Sequence, residues 1–270
     1  MPELPEMETY RKLLNEQIAG TVITGTEVTR EKSINVSPEA FNEQLTGRTV
    51  WYVERRGKHL IFHLDNGKRL ELHLMLGGFL FFGREEDKPD RTAQVTLRFD
   101  KGNLYFMGLR LGHLHLLSVK EVEGALSKLG PDPFDKRLTS EKFAALFDKK
   151  RGSLKASLVD QHVIAGIGNC YADEIAYTAS IRPDAKIPLL RDEDWERLHR
   201  SMHSVLKEAI SRGGYMDQPL TATDVLTGGY ESVFQVYERA GETCGRCGGT
   251  IEQIEVASRK AYLCPGCQKE

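Results

Sequence analysis

Cys244-Gly-Arg-Cys247 and Cys264-Pro-Gly-Cys267 place four of the chain's five cysteines in two Cys-x-x-Cys turns separated by 16 residues. Each turn lets two thiolates reach the same ion, and two turns complete a closed tetrahedral four-thiolate site. A closed site leaves no position for water, so a zinc ion held there, one per chain, is structural and does no chemistry. Between the turns, "TIEQIEVASRKAYL" reads as a β-hairpin with Ser258, Arg259 and Lys260 near its tip. A zinc hairpin that presents Arg259 and Lys260 suits nucleic acid, although many such ribbons bind protein or nothing.

Three further stretches carry chemistry-bearing residues. "MPELPEMETY" puts proline at the start of a helical pattern through Tyr10 and Leu14, with Glu3 and Glu6 at the positive end of the helix dipole. Taken alone, this is a helix start. "DQHVIAGIGNCYADEI" places a glycine-rich turn before a helix beginning at Asn169. Backbone N–H groups at such a turn make a phosphate site, and a plain helix–helix turn fits equally well. "ERRGKHL" (54–60), "KKRGSLK" (149–155) and "SRK" (258–260) are basic clusters. Such clusters are usually solvated faces, but three of them can form one phosphate-binding surface. Cys170, alone, is expected to be a small buried side chain behind the Asn169 turn.

The elements that must position these residues divide the chain of 270 residues into two domains and an appendage. Up to about residue 117, apolar or alternating segments at 20–30, 48–65, 69–83, 92–100 and 102–117 suggest a β-sandwich, with turns at Asn66-Gly67 and Lys101-Gly102-Asn103. "LGPDPFDKRLTS" is a linker. Helices are expected at 141–148, capped by Ser140, then in "SLKASLVDQ", from Asn169, and over about 191–212 up to Gly213-Gly214. Residues 215–235 read as a mobile loop. The boundaries drawn are 1–130, 131–235 and 236–270. A content of 40% apolar and 28% charged residues describes an ordinary globular protein, and the net charge of −2 favours no partner. No apolar run reaches membrane-spanning length, so no membrane role and a cytoplasmic location are expected.

"PELPE", "RRGKHL", "LGPDP", "LVDQ…AGIGNCYADE" and the two cysteine pairs with Arg259 between them occur in this order over the whole chain. In this the sequence resembles the formamidopyrimidine-DNA glycosylase/endonuclease VIII family. The resemblance implies an α+β protein: an N-terminal β-sandwich with a preceding helix, a helix–two-turn–helix domain and a zinc-ribbon hairpin, with DNA between the domains. It implies base-excision repair of double-stranded damaged DNA by a bifunctional glycosylase and abasic-site lyase, a nucleoid-associated monomer with no nucleotide cofactor. With Met1 removed, the Pro2 amine becomes the nucleophile. An α-amino group has a reference pKa near ~8 against ~10.4 for lysine, so it is far more often neutral. Glu3 then assists sugar ring-opening, Glu6 supports the site, and Lys58 contacts the DNA backbone and donates a proton in elimination. Lys58 alone would read as a solvated strand lysine. Lys150, Lys155, Asn169 and Lys260 fall among the DNA contacts, and Arg259 clamps a phosphate in δ-elimination.

Departures from the family pattern concern lesion reading. In "HLMLGG" (73–78) Leu76 takes the place of a wedge methionine, and in "MGLRLG" (107–112) Leu109 stands where an arginine reads the orphaned cytosine. Leu111 replaces a phenylalanine, Arg110 keeps the second arginine, and Thr92 and Gln94 stand where histidines are usual. Leu76, Leu109 and Leu111 are thus candidate void-fillers. A charged bidentate reader contributes roughly 1–3 kcal/mol of discrimination, so weak opposite-base preference is expected. Oxidised pyrimidines or abasic sites are at least as suitable as 8-oxoguanine opposite cytosine. A non-catalytic damage-binding protein of the same fold is the main alternative, and a zinc-ribbon interaction module the weaker one.

Overall fold

The computed structural model describes residues 1–269, which fall into two compact units. The first comprises residues 1–127 and 212–229, the second 128–211 and 230 to the C-terminus.

In the first unit, α1 (Leu4–Ile18) buries Leu4, Met7, Tyr10, Leu14 and Ile18, a three-to-four-residue spacing that lays one apolar stripe inward. One antiparallel sheet has the order β1 (Thr21–Val22), β3 (Thr49–Arg56), β4 (His59–Leu64), β5 (Lys68–His73), β9 (His113–Ser118). The other runs β2 (Gly25–Val28), β7 (Ala93–Phe99), β8 (Gly102–Met107), β6 (Phe79–Gly83). Leu60, Phe62, Leu70, Leu72 and Leu114 from the first sheet meet Val95, Leu97, Leu104 and Phe106 from the second in one core. This is the sandwich expected. Two helices had gone unread, α2 (Pro38–Leu45) and α3 (Val119–Leu126), although each carries a start signal: Ser37 before Pro38, and the Ser118/Glu121 capping box.

Residues 212–229, assigned from sequence to the helical domain, belong to the first unit because Leu220 is wholly buried in its core. Phe82 N–H donates to the Leu220 carbonyl at 2.6 Å, and Tyr10 Oη donates to the Gln218 carbonyl at 2.9 Å. The Asp224 carboxylate accepts from Leu220 N, Leu226 N, Thr227 N and Thr227 Oγ1, so the expected loop is tied to itself.

The second unit contains α4 (Ser140–Ala145), α5 (Leu154–Leu158), α6 (Asn169–Thr178) and α7 (Asp192–Ser211). Thr139, not Ser140, caps α4, its hydroxyl accepting from Lys142 N. Trp195 of α7 stacks on Phe147 at 4.8 Å and meets Phe143 edge-on, closing the helical core. Gly213 and Gly214, both left-handed (φ 77° and 73°), follow α7 as the sequence expects. A hairpin of β10 (Glu252–Val256) and β11 (Arg259–Leu263) ends the unit, and β11 packs on α6. No helix among the described residues is long and apolar enough to cross a membrane.

Candidate functional site: a braced N-terminus, a glycine turn and a zinc hairpin

Pro2, Glu3 and Glu6 are all buried at the start of α1. Glu6 occupies the third helical position and accepts from Glu3 N at 2.8 Å, as a capping box does. Its other oxygen accepts from Tyr215 N at 2.9 Å. A Cβ at Gly214 would lie 2.3 Å from that same oxygen, so only glycine, already in the left-handed region, lets the chain pass this close. Helix-start and site-supporting readings of Glu6 therefore describe one arrangement: its carboxylate ties residue 3 to the 212–229 segment. Farther along, Glu8 receives Arg55 Nε at 3.0 Å and Arg11 at 2.7 Å, and Asn15 bonds both Val53 N and Val53 O. These bonds seat α1 on β3. Burial alone would raise the Glu8 carboxyl, but the two guanidinium groups hold it below the usual range.

Lys58 lies in the tight turn between β3 and β4, next to left-handed Gly57, and is only 4% exposed. It is not a solvated strand lysine. Its carbonyl accepts from His73 Nδ1 at 3.3 Å.

The lesion-reading departures converge. Left-handed Gly108 passes so close to Gly77 that a Cβ would sit 1.9 Å from the Gly77 carbonyl oxygen, which presses loop 107–112 against loop 74–78. An open groove of about 370 Å³ there is lined by Leu76, Gly77, Arg91, Thr92, Gln94 and Arg110. Gln94 Oε1 accepts from Leu109 N at 3.0 Å. Leu76 and Leu111 stand 69% and 66% exposed. Leu109 corrects the sequence reading: it is wholly buried in the sandwich core and has nothing left to insert into DNA.

In the second unit, Asn169 is the exposed first residue of α6. The turn before it is clamped by Gln161, whose amide nitrogen donates to the Ile167 and Val159 carbonyls while its oxygen accepts from Gly166 N. Cys170 is buried behind it. Lys150 is part-exposed and pairs with Asp160 at 2.8 Å, which, against burial, holds the Asp160 carboxyl low. Lys155 is the second correction. It is fully buried, its ammonium donating to both Asp173 oxygens at 2.7 and 2.8 Å and to the Lys260 carbonyl. Asp173 also accepts from Tyr262 N, so this pair ties α5, α6 and β11 together and offers no charge to a phosphate. Arg259 and Lys260 are exposed, just after the left-handed Ala257-Ser258 tip.

The four cysteine sulfurs converge, with Cys244–Cys267 at 3.7 Å and Cys247–Cys264 at 3.4 Å. Tetrahedral zinc with Zn–S near 2.3 Å places sulfurs about 3.8 Å apart, so the set fits. Burial and the neighbouring sulfurs push Cys267 up to about 12. Cys244, despite burial, is drawn down to about 6 by the Tyr177 hydroxyl and backbone amides. One zinc ion held by all four sulfurs would keep them as thiolates. Tyr177 Oη reaches Cys244 Sγ at 3.3 Å with Arg246 over its ring, and Gln268 bonds Cys264 N and the Ile181 carbonyl. These contacts seat the ribbon on α6.

One cluster escaped sequence reading: Glu71 with His59 and His113 on the outer face of the five-stranded sheet. Its signal was the alternation Glu71-x-His73 and His113-x-His115, which puts each pair on one face of a strand. Burial would raise the Glu71 carboxyl, but hydrogen bonds and charge from His113 and His59 bring it to about 2, while burial and those same imidazoles lower His73 to about 4.

The chain therefore carries, in order, a β-sandwich, a helical unit and a four-cysteine hairpin. The comparisons place it in a known family. Residues 1–114 match the formamidopyrimidine-DNA glycosylase N-terminal domain, 129–218 the formamidopyrimidine-DNA glycosylase H2TH domain, and 241–269 the zinc finger found in FPG and IleRS. Formamidopyrimidine-DNA glycosylase of Chloroflexus aurantiacus is 37% identical over 271 residues, 99% of this chain and 98% of that one. That of Pelotomaculum thermopropionicum is 35% identical over 275 residues, covering 100% and 99%. Among solved structures, Lactococcus lactis Fpg with abasic-site DNA superposes with a TM-score of 0.91 at 32% identity, covering 99% and 100% of the two chains. The wild-type Lactococcus lactis protein with DNA containing an oxidised pyrimidine gives 0.91 at 32%, with full coverage of both. The chain belongs to the formamidopyrimidine-DNA glycosylase family.

Proposed function

We propose that this protein is a bifunctional DNA glycosylase and abasic-site lyase of base-excision repair, acting through the Pro2 amine. That amine attacks C1′ of the damaged nucleotide and loses its proton as the base departs with the C1′–N bond electrons; the C1′–O4′ bond then breaks, O4′ is protonated, and the nitrogen lone pair forms the iminium. Loss of the C2′ proton then expels the 3′ phosphate, and a second elimination releases the 5′ phosphate. Glu3 donates the proton that opens the sugar ring, and Lys58 serves backbone contact and proton transfer. Lys150, Asn169, Arg259 and Lys260 hold phosphates, with Arg259 assisting the second elimination, and Arg110 meets the DNA beside the groove. Leu76 and Leu111 fill the space left by the flipped nucleotide, offsetting part of the few kcal/mol that flipping costs.

The observation that carries this reading is the Glu6 brace, which fixes the residues flanking Pro2 through Glu3 N and Tyr215 N. A capping box alone serves any helix start, but here the same carboxylate also ties Tyr215 N to the chain beside Pro2, which suits a nucleophile that must be held in place. Leu109, sealed in the core, cannot hydrogen-bond an orphaned base. We therefore assign the protein weak opposite-base preference, with oxidised pyrimidines or abasic sites at least as suitable as 8-oxoguanine opposite cytosine. It works as a cytoplasmic, nucleoid-associated monomer without a nucleotide cofactor, and its zinc serves the hairpin alone. One extra residue ahead of Pro2 tests the mechanism. Strand scission at an abasic site should vanish while DNA affinity, read by fluorescence anisotropy, stays within a few-fold. Scission that persists in the extended chain contradicts it.

A further inference from the structure

The first unit holds a second set of metal-ligating side chains, centred on Glu71, His113 and His115, outside the residues proposed for the glycosylase reaction. His113 and His115 lie two apart on β9, Glu71 and His73 two apart on β5, and His59 opens β4. Cross-strand register sets Glu71 opposite His115 and His73 opposite both His113 and His59. The whole group therefore shares the sheet face turned away from the sandwich core.

Its geometry is tight. Glu71 Oε2 lies 2.7 Å from His113 Nε2 and Glu71 Oε1 2.6 Å from His59 Nδ1. The His113 and His115 rings stack at 4.0 Å. One ligand atom from each of Glu71, His113 and His115 falls within 4.8 Å of the others. Donors bound to one ion at about 2.1 Å sit roughly 3.0–3.4 Å apart, so small side-chain rotations complete a coordination set. We propose that Glu71, His113 and His115 form a second metal site, which takes one divalent ion of the zinc class (Zn2+, Ni2+, Cu2+ or Co2+).

Two imidazoles with one carboxylate suit these ions, whereas Mg2+ and Ca2+ require sets dominated by oxygen. Two histidines at i and i+2 of a strand project to the same side, which is what chelation by both requires. The remaining groups supply the support a metal site needs. His59 holds the second Glu71 oxygen and orients the carboxylate. His73 donates Nδ1–H to the Lys58 carbonyl, which fixes its ring beside His113 at a centroid distance of 5.9 Å. The His113 side chain is 30% exposed while Glu71 is 3% exposed, so an ion enters past the histidine and ends on a sheltered carboxylate. Coordination positions beyond these three ligands are left for water.

The test uses the full chain with its four-cysteine zinc in place. Equilibrium dialysis against Zn2+ followed by elemental analysis should give two ions per chain, and one in the His113→Gln/His115→Gln double variant. Glu71→Gln should weaken the second ion at least tenfold. Titration with Co2+ should produce d–d bands without sulfur-to-metal charge-transfer absorption, which separates this ion from one exchanging into the cysteines. Because the substitutions could disturb the sheet, the unmodified protein supplies an independent check: Zn2+ should protect His113 and His115 from diethyl pyrocarbonate. A parent protein that stops at one ion per chain, a double variant that binds the second ion unchanged, or imidazoles left unprotected would overturn the proposal.

Discussion

Leu109 and Lys155 sit at positions where family motifs place DNA contacts, and both turn inward, whereas their neighbours Leu76, Leu111 and Lys150 do not. In the first unit, Leu76 and Leu111 are two-thirds exposed on abutting loops, while Leu109, two residues before Leu111, is sealed in the sandwich. In the second, Lys150 keeps part of its surface and a single partner, while Lys155 is wholly buried on Asp173. A motif gives a residue's place in the chain. For Leu109, packed in the sandwich core, and Lys155, paired on Asp173, burial and partners together give the side chain to the fold.

The sharpest break of this comparison is Lys155→Met. Removing one member of a buried ion pair leaves Asp173 uncompensated, at a cost of about 3–5 kcal/mol, so the second unit should melt far earlier. Its DNA salt dependence should not change. A phosphate contact would give the opposite pattern, an unchanged melting temperature and a log–log salt slope shallower by about 1. Leu109→Ala comes next, destabilising by about 2–5 kcal/mol in denaturant titration, because it opens a cavity in the core. Glu8→Gln is milder. Glu8 titrates below its ordinary 4.5 in the folded chain, so its contribution is present above that value and is lost as pH falls through the folded pKa. The variant should lose about 1 kcal/mol at pH 7, a modest figure for a pair that solvent partly screens, and should match the parent once acid protonates Glu8. Leu76→Ala should move stability by less than about 0.5 kcal/mol, yet slow lesion processing in single-turnover assays.

Much of this was legible in the sequence. The Cys-x-x-Cys spacing announced the hairpin, alternation announced the sandwich strands, and Gly213-Gly214 announced the end of α7. The missed helices carried cap signals at Ser37 and Ser118 in segments too short for periodicity to speak. What the sequence could not carry is depth. Leu109 reads like any loop leucine, Lys155 like any member of a basic run, and residues 212–229 like a continuation of the helical domain until Leu220 is found in the other core. The Glu71 cluster was half readable: alternation pairs its residues within a strand, but the register that joins three strands is set only by folding.

The most direct test of the account is borohydride trapping. The methionine-processed protein is incubated with duplex DNA carrying one abasic site, reduced, digested and mapped by mass. A covalent adduct on Pro2 is the expected result. No adduct, with Met1 removed and DNA bound, would contradict it and leave a protein that recognises damage without cutting it.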